Sequence, residues 1–380
     1  MRACLGAAVA AALVASAGPA LAQQTAKLAN IAELSGAGAA LSAHWRDGAI
    51  LAVDEINQKG GILGRKIELA NYDTQSNPGM ARAQMQKALE DEPYAILGPI
   101  FSGMVKVSMM LAQQAEVPQL IGGEASELTQ LGNQYLFRTS FGRHVNMQKI
   151  ANYIRDAVKA RSIALVWINT DAGKIGRDDL VREMNARSIR IAADIPTEQG
   201  QSDFAAEVAK VKGAHADAIF VYTNEEESAH FLREARRQSV DVPLIGETAL
   251  ASPRVIELAG DAANGVRAHV GLSADAPIPA IQELRAKFQK RFNYVPDQNG
   301  IKGYTAVYAI RHATEKKVGK LDRKALAHAL HGLTISPDAE PGILIETSWD
   351  DSGDIDRISF LAEVVNGRPQ ITTILPKVAR

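Results

Sequence analysis

Cysteine is almost absent from this chain of 380 residues, since the only one is Cys4. A disulfide framework, a thiol nucleophile and a cysteine metal site are therefore excluded for the rest of the chain. The eight histidines form no HxxxH or HxH pair, so a histidine metal site is not expected either. We predict no metal and no cofactor.

An excess of charge of either sign is also missing. The chain has 42 lysines and arginines against 43 aspartates and glutamates, a formal net charge of −1. This balance gives no support for binding to nucleic acid or to an anionic membrane surface, which would need an excess of basic residues. The motifs GxSxG and SxxK are absent too, which removes support for serine hydrolase chemistry. We expect the protein not to be an enzyme.

Long apolar runs are confined to the N-terminus. Arg2 precedes an apolar stretch, residues 5–17, that is too short to span a bilayer comfortably. The small-x-small sequence at residues 20–22 then fits a cleavage site. We predict a secretory signal peptide over residues 1–22, cleaved after Ala22, and a periplasmic mature protein.

Strand and helix patterns alternate through the rest of the chain in two runs, with a break near residues 138–147. The strand candidates are KLANIAEL, RKIELANYD, YAILGPI and VPQLIGG, then RSIALVWIN, IRIAADIP, ADAIFVYTN and VPLIGET. Such alternation is typical of βαβ units, so two doubly wound α/β lobes with parallel sheets are expected. Helices are predicted over 277–291, 303–317 and 321–331. Strands joined by a polar turn at 351–354 follow, where the spacing does not fit an EF-hand calcium loop.

Three glycines, Gly60, Gly61 and Gly64, lie close together in INQKGGILGRK. A phosphate cradle needs a strand before the glycines and a helix after them, so that helix N–H groups face the anion. Here a helix precedes them and a strand follows. We therefore interpret Gly60 as a helix stop with positive φ and the cluster as a turn.

The segment LGPIFSGMVKVS has the opposite order, with a strand followed by a helix. Ser102 stands at the start of the helix, beside the N–H groups of Gly103 and Met104, which would point outward. Such a group of donors is a site of the size of a carboxylate. Alternatively, Ser102 is only the N-cap of the helix.

Other polar residues follow predicted strands, at the edge where open α/β sheets bind ligands. Glu124, Ala125 and Ser126 follow a strand of the first run, although Ser126 could instead cap the next helix. The candidates of the second run are Tyr222, Thr223, Asn224 and Glu247.

Several blocks resemble the periplasmic leucine/isoleucine/valine-binding proteins of ABC importers. They include DGAILAVDEINQKGGILGRKIELANYDTQSNP, YAILGPIFSG, QSDFAAEVAKVKGAHADAIFVYTN and FLREARRQSVDVPLIGE. The resemblance covers essentially the whole chain after the predicted signal. It implies a type I periplasmic binding fold, in which two doubly wound lobes with mainly parallel sheets are joined by a three-segment hinge. The expected lobes are 23–142 plus 273–349 and 143–272 plus 350–380.

The resemblance also implies roles for single residues. Ser102 matches the family serine that binds the ligand carboxylate, and Ala125 with Ser126 matches the next contact pair. Residues 222–224 match the contact loop of the second lobe. Glu247 lies near the acid that takes an α-amino group.

Two positions depart from the family pattern. Leu41 stands where an aromatic residue often lines the pocket, and Arg143 stands where amino-acid binders often carry an acid. If Arg143 faces the pocket, it disfavours an ammonium group and could pair with a second carboxylate. Alternatively, it is a solvated arginine of the hinge region.

The resulting prediction is a solute-binding protein that carries a small carboxylate-bearing ligand to the permease and ATPase complex of an ABC importer. The ligand is a branched-chain or other amino acid, which Glu247 favours, or an aromatic or other organic acid, which Arg143 favours. A monomer is expected. The alternative is a periplasmic ligand-sensing protein that works with a separate membrane signalling partner.

Overall fold

The computed structural model describes residues 25–378. The predicted signal peptide, with Cys4 and the cleavage site after Ala22, lies outside the described residues. The strands are β1 (Ala26–Ala32), β2 (Ile67–Asp73), β3 (Ala95–Leu97), β4 (Gln119–Ile121), β5 (Leu136–Arg138), β6 (Ser162–Ile168), β7 (Arg190–Thr197), β8 (Ala218–Tyr222), β9 (Leu244–Glu247), β10 (Arg267–Val270), β11 (Thr334–Ile335), β12 (Thr347–Trp349), β13 (Ile355–Asp356), β14 (Ser359–Val365) and β15 (Arg368–Leu375). The helices are α1 (Ala39–Gln58), α2 (Pro78–Glu90), α3 (Ser102–Gln114), α4 (Glu127–Gln130), α5 (Arg143–Tyr153), α6 (Asp171–Ala186), α7 (Ala205–Gly213), α8 (Glu225–Arg237), α9 (Pro253–Ala259), α10 (Pro279–Phe292), α11 (Gln298–Ala313) and α12 (Arg323–Leu330).

Two large sheets repeat one doubly wound order. The first sheet is entirely parallel, in the order β2-β1-β3-β4-β5. The second sheet has the order β15-β14-β10-β9-β8-β6-β7, in which β6 to β10 are parallel and β14 and β15 are antiparallel. The prediction of two doubly wound, mainly parallel sheets is confirmed.

The chain passes between the two sheets three times. It crosses from the first sheet to the second after β5 and returns after β10 to helices beside the first sheet. It then crosses to β14 and β15 of the second sheet through a small antiparallel sheet of β11, β12 and β13. The turn between β12 and β13 is closed by a bond from the Asp350 N–H to the Asp354 carbonyl oxygen, at 2.9 Å. The predicted polar turn is therefore present.

The long helices α1 and α11 cross at a very short distance. A Cβ atom on Gly48 would lie 2.0 Å from the Gly300 carbonyl oxygen, and one on Gly303 would lie 2.2 Å from that of Trp45. Only glycine leaves room for backbones at this distance. The close crossing fixes the N-terminal half of α11 beside the first sheet.

The glycine cluster forms the predicted turn. Helix α1 ends at the C-cap Lys59, and Gly60 follows with a φ of 103°. Gly61 also has positive φ, and a Cβ atom there would lie 1.9 Å from the Arg65 carbonyl oxygen. These glycines end a helix and start a strand, and they do not cradle a phosphate.

Strand β5 and helix α5, on either side of the predicted break, were not predicted from the sequence. β5 has only three residues, which is too short to show a period. Helix α5 buries residues on several faces, including Val145, Asn146 and Lys149, so its apolar stripe is blurred.

Candidate ligand-binding cleft

Each large sheet has a switch point, where the strand order reverses. The reversal falls between β1 and β3 in the first sheet and between β6 and β8 in the second. Loops that leave such strands at their carboxyl ends diverge and open a crevice. Ser102 follows β3 and Tyr222 ends β8, so one predicted site residue stands at each switch point.

The hydroxyl of Ser102, the first residue of α3, is held by the backbone of a neighbouring loop. The N–H groups of Glu124 and Ala125 both donate to Ser102 Oγ, at 3.1 Å each. These bonds occupy the lone pairs of the oxygen, so the hydroxyl proton is left for donation to a third group. The Ser102 hydroxyl is therefore suited to an anionic acceptor.

The first turn of α3 corrects two details of the sequence-based interpretation. Phe101 occupies the N-cap position without a side-chain capping bond, so Ser102 is not the N-cap. The Met104 N–H donates to the Phe101 carbonyl oxygen at 2.9 Å, because the first turn tightens, and it is not an open donor. For the Gly103 N–H no acceptor is found within residues 25–378, and a Cβ atom on Gly103 would meet nothing within 4 Å.

The loop of residues 124–126 is anchored by Arg138, which is fully buried. Its guanidinium donates to the carbonyl oxygens of Gly123 and Ala125, at 2.6 Å each. Its Nε donates to a carboxylate oxygen of Asp354. The guanidinium therefore fixes the backbone that in turn holds the Ser102 hydroxyl.

Ser126 has a different environment from the one expected. Its hydroxyl donates to Asp179 Oδ2 at 3.1 Å and accepts from the His144 N–H at 3.2 Å. No side-chain capping bond to α4 is formed. Since Asp179 lies on α6, the hydroxyl joins the two halves of the molecule. Neither Ser126 nor the buried Ala125 lines the cavity described next.

A cavity of about 740 Å³ lies at the first switch point. Three predicted site residues, Leu41, Ser102 and Glu124, line it. The rest of its wall comes from several segments and includes Phe101, Thr248, Leu272, Asn299 and Lys302. Its volume is typical of pockets for small organic ligands.

An ion pair stands in the wall of this cavity. Lys302 Nζ lies 2.9 Å from Glu124 Oε1, where the side chain of Lys302 is 3% exposed and that of Glu124 is 41% exposed. The lysine comes from α11 and is fixed by the close helix crossing. The glutamate comes from a loop and reaches solvent.

Tyr222, Thr223, Asn224 and Glu247 line a second cavity, of about 460 Å³, at the second switch point. Burial raises the pKa of Tyr222 to about 12, and the neighbouring Arg143 works against this rise. The tyrosine is therefore a neutral hydrogen-bonding group at neutral pH. The structure brings four of the predicted second-lobe residues together, in a cavity separate from that of Ser102.

Glu247 has an unusual surrounding for a carboxylate. Its Oε1 is buried and has no hydrogen-bond partner. Its Oε2 lies 3.6 Å from Nδ1 of the buried His269, and this Nδ1 also has no hydrogen-bond partner. Buried polar atoms without a partner are costly, so this pair has unused capacity for hydrogen bonding.

Arg143 lies between the two predicted groups. Its N–H donates to the Glu124 carbonyl oxygen at 2.9 Å. Its positive charge is close enough to the Tyr222 hydroxyl to lower the pKa of that group, against the effect of burial. Arg143 is not among the residues that line either of the two cavities, so its part in ligand binding stays a prediction.

Two basic residues near the cleft, Lys302 and Arg357, were missed by the sequence analysis. Lys302 lies inside a helix in which 14 of 16 residues are buried. Lysine is rarely buried without a partner, so a single lysine in such an apolar helix could have indicated a functional residue. Arg357 is 2% exposed and follows β13 in a segment without periodicity, so no local pattern pointed to it.

Within residues 25–378, no helix has the length and apolar character needed to cross a membrane. The same part of the chain holds no group of three or more histidine, cysteine, aspartate or glutamate side chains placed to bind a metal ion.

Comparison with known proteins identifies relatives over nearly the whole chain. The family model described as "Periplasmic binding protein" matches residues 25–368. The Leu/Ile/Val-binding protein BraC3 of Rhizobium johnstonii is 27% identical over 334 residues, which are 87% of this chain and 89% of that protein.

Solved structures share the fold at lower identity. The substrate-binding protein LivJ of Streptococcus pneumoniae, in complex with isoleucine, has a TM-score of 0.75 and 24% identity, and the match covers 93% of this chain and all of that chain. A solute-binding protein of an ABC transporter from R. palustris, in complex with benzoate, has a TM-score of 0.73 and 19% identity, with 94% and 98% covered. The family model and the relatives in sequence confirm the resemblance to the leucine/isoleucine/valine-binding family.

Proposed function

The chain belongs to the periplasmic binding protein family, and from this premise we propose that it binds a small carboxylate-bearing ligand between its two lobes. The ligand is then delivered to the permease and ATPase complex of an ABC importer. The protein works as an exported, periplasmic monomer whose signal peptide is removed after Ala22. It performs no chemistry on the ligand.

The observation that carries this proposal is the donor arrangement at the first switch point. Ser102 Oγ already accepts two N–H bonds, so its proton is directed to a further acceptor. The Gly103 N–H stands next to it at the start of α3, where the helix dipole favours negative charge. A carboxylate satisfies both donors at once.

The two lobes of the proposal are residues 23–142 plus 273–349 and residues 143–272 plus 350–380. Closure about the three crossings brings the wall with Tyr222 and Glu247 toward the ligand on the Ser102 wall. Such hinge closure is a common way for two-lobed proteins to enclose a small molecule. Arg143 and Leu41 complete the set of proposed contacts.

Relatives of this fold bind ligands of two kinds, an amino acid in the isoleucine complex and an aromatic acid in the benzoate complex. Both kinds carry a carboxylate, which agrees with the proposed donors. The proposal therefore covers branched-chain or other amino acids and aromatic or other organic acids.

A ligand panel tests the proposal by thermal unfolding. Leucine, isoleucine, benzoate, 4-methylpentanoate and glutarate should be compared at high excess. A ligand at a hundredfold excess over its Kd stabilises the protein by about 2.7 kcal/mol, so at least one compound should raise the Tm clearly. Recovery of that compound unchanged after incubation is expected for a binding protein. A panel without any shift would count against the proposed function.

A further inference from the structure

A narrow inner cavity continues from the cleft toward the crossings. It has room for about one water molecule, with a volume of about 10 Å³. Its lining includes Glu124, Thr248, Gln298 and Lys302, which also line the 740 Å³ cavity, so the two spaces adjoin. The residues found only in the inner cavity are Ser140, Phe141, Asn146, Gly271 and Arg357.

Arg357 brings a positive charge to this inner cavity without an acidic partner. One guanidinium nitrogen donates to the Thr139 carbonyl oxygen at 2.8 Å, and the group lies 5.4 Å from the centre of the Phe141 ring. Its Nε is buried with no hydrogen-bond partner. No carboxylate within residues 25–378 forms an ion pair with it. The neighbouring Asp356 pairs with Lys149, at 3.4 Å.

Burial of an arginine without a counter-ion is expensive. Burial lowers the pKa of Arg357 to about 10, although the negative charges of Glu124 and Asp356 act to raise it. The guanidinium nevertheless remains charged at neutral pH. A buried cation with an unused donor is a place where an anion stabilises the protein.

Lys302 supplies the second cation, and its only ion-pair partner in the described part of the chain is Glu124. The two ends of this pair differ, because the lysine is buried and fixed while the glutamate is partly exposed on a loop. The glutamate is therefore the end that can leave. An acid group that enters from the large cavity would meet Lys302 in the place now taken by the glutamate.

We propose that Lys302 and Arg357 form an anion-binding subsite at the inner end of the cleft, and that Glu124 is an internal competitor for it. This proposal rests on the proposed function and narrows the ligand class. The group that binds there is a carboxylate without an adjacent ammonium. The cavity holds two cations against one carboxylate, so an anion improves its charge balance and a further positive group does not.

The rival arrangement has Glu124 as the partner of a ligand ammonium group, with Lys302 beside the α-carboxylate of the same amino acid. The two arrangements predict opposite effects for Glu124→Gln. Removal of a competitor strengthens binding, whereas removal of an ammonium partner weakens it.

The test measures the affinities of the wild type, Glu124→Gln and Lys302→Gln by calorimetry for leucine and for 4-methylpentanoate, which has the same skeleton without the amino group. Benzoate and glutarate extend the series.

We expect 4-methylpentanoate or another acid of the series to bind better than leucine. Glu124→Gln should bind this acid about 2- to 5-fold more tightly, because a partly exposed ion pair contributes that much to an equilibrium constant. Lys302→Gln should bind it about 10- to 100-fold more weakly, for a lost hydrogen bond to a charged group.

Glu127→Gln is the matched control, since this glutamate lies three residues further on and pairs with the exposed Lys106. It should leave the affinity unchanged, and thermal unfolding of each variant checks the fold. Weaker or unchanged binding in Glu124→Gln, or unchanged binding in Lys302→Gln, overturns the subsite but leaves the proposed function. Absence of wild-type binding to every probe overturns both.

Discussion

The two walls of the cleft are built on the same strand order but satisfy their polar groups differently. On the first wall, Ser102 and the loop after β4 bond to each other, and Arg138 anchors the loop from below. On the second wall, Glu247 and His269 each keep a buried side-chain atom without a hydrogen-bond partner.

This difference indicates an order of events. A wall whose hydroxyl and backbone groups already bond to each other is pre-organised, so Ser102 can meet a ligand carboxylate without a change of the backbone. A wall with unused hydrogen-bonding capacity gains partners only when something approaches it. We infer that the ligand binds to the first wall and that the second wall contributes after closure.

The largest effect should come from breaking the support of the first wall. Arg138→Met removes the buried guanidinium that pairs with Asp354, while His144 Nε2 stays 3.1 Å from the other carboxylate oxygen. Loss of one partner of a buried ion pair should lower the free energy of unfolding by about 3–5 kcal/mol. Urea denaturation followed by circular dichroism measures this loss.

Arg177→Met is the control on the second half of the molecule, where Arg177 pairs with Asp178 and Asp194 near the surface. Pairs of this kind contribute about 1 kcal/mol or less. If both variants lost the same free energy of unfolding, the support of the first wall would be no stronger than an ion pair near the surface.

A smaller effect is expected for the donor itself. Ser102→Ala should weaken the binding of a carboxylate ligand by about 1–3 kcal/mol, because a buried acceptor loses its partner. Ser108→Ala is the matched control on the same helix, since the Ser108 hydroxyl bonds to the Met104 and Val105 carbonyl oxygens. Calorimetry compares the two variants. A Ser102 variant that binds as tightly as the Ser108 variant would place the carboxylate elsewhere.

The parts of the fold that could be predicted are those specified locally. Alternation of strand and helix patterns indicated the doubly wound sheets. Ser76 and Asn77 are both capping residues and Pro78 follows them, a pattern that predicts a helix start with either one as the cap. The structure has Asn77 as the N-cap of α2, accepting from the Met80 N–H at 3.1 Å. Ser102 was found because the order of strand and helix is itself a local signal. The free Met104 amide was wrongly expected, because the tightening of a first turn is a geometric detail that the sequence does not carry.

The charged inner end of the cleft could not be predicted in this way. Lys302 and its partner Glu124 are 178 residues apart in the chain, and Arg357 is 218 residues from Thr139. Pairs at such separations depend on how the crossings bring the two sheets together. Periodicity within one element contains no information about them.

The smallest effect should come from the second wall. Tyr222→Phe keeps the aromatic ring. The ring packs closely against Gly176, where a Cβ atom would lie 2.3 Å from a ring carbon of Tyr222. Only the hydroxyl is lost, so ligand affinity should fall by about 0.5–1.5 kcal/mol, the usual worth of one hydrogen bond. Stability should change little, because the ring and its packing against Gly176 are kept.

Tyr72→Phe is the control for loss of a tyrosine hydroxyl, since Tyr72 bonds to Asp91 outside the cleft. Its affinity should equal that of the wild type. If Tyr222→Phe costs more affinity than Ser102→Ala, the second wall is the primary contact and the proposed order of binding is reversed. If it costs nothing, the second wall closes over the ligand without a hydrogen bond from this residue. The comparison of Ser102 with Tyr222 therefore decides which wall selects the ligand.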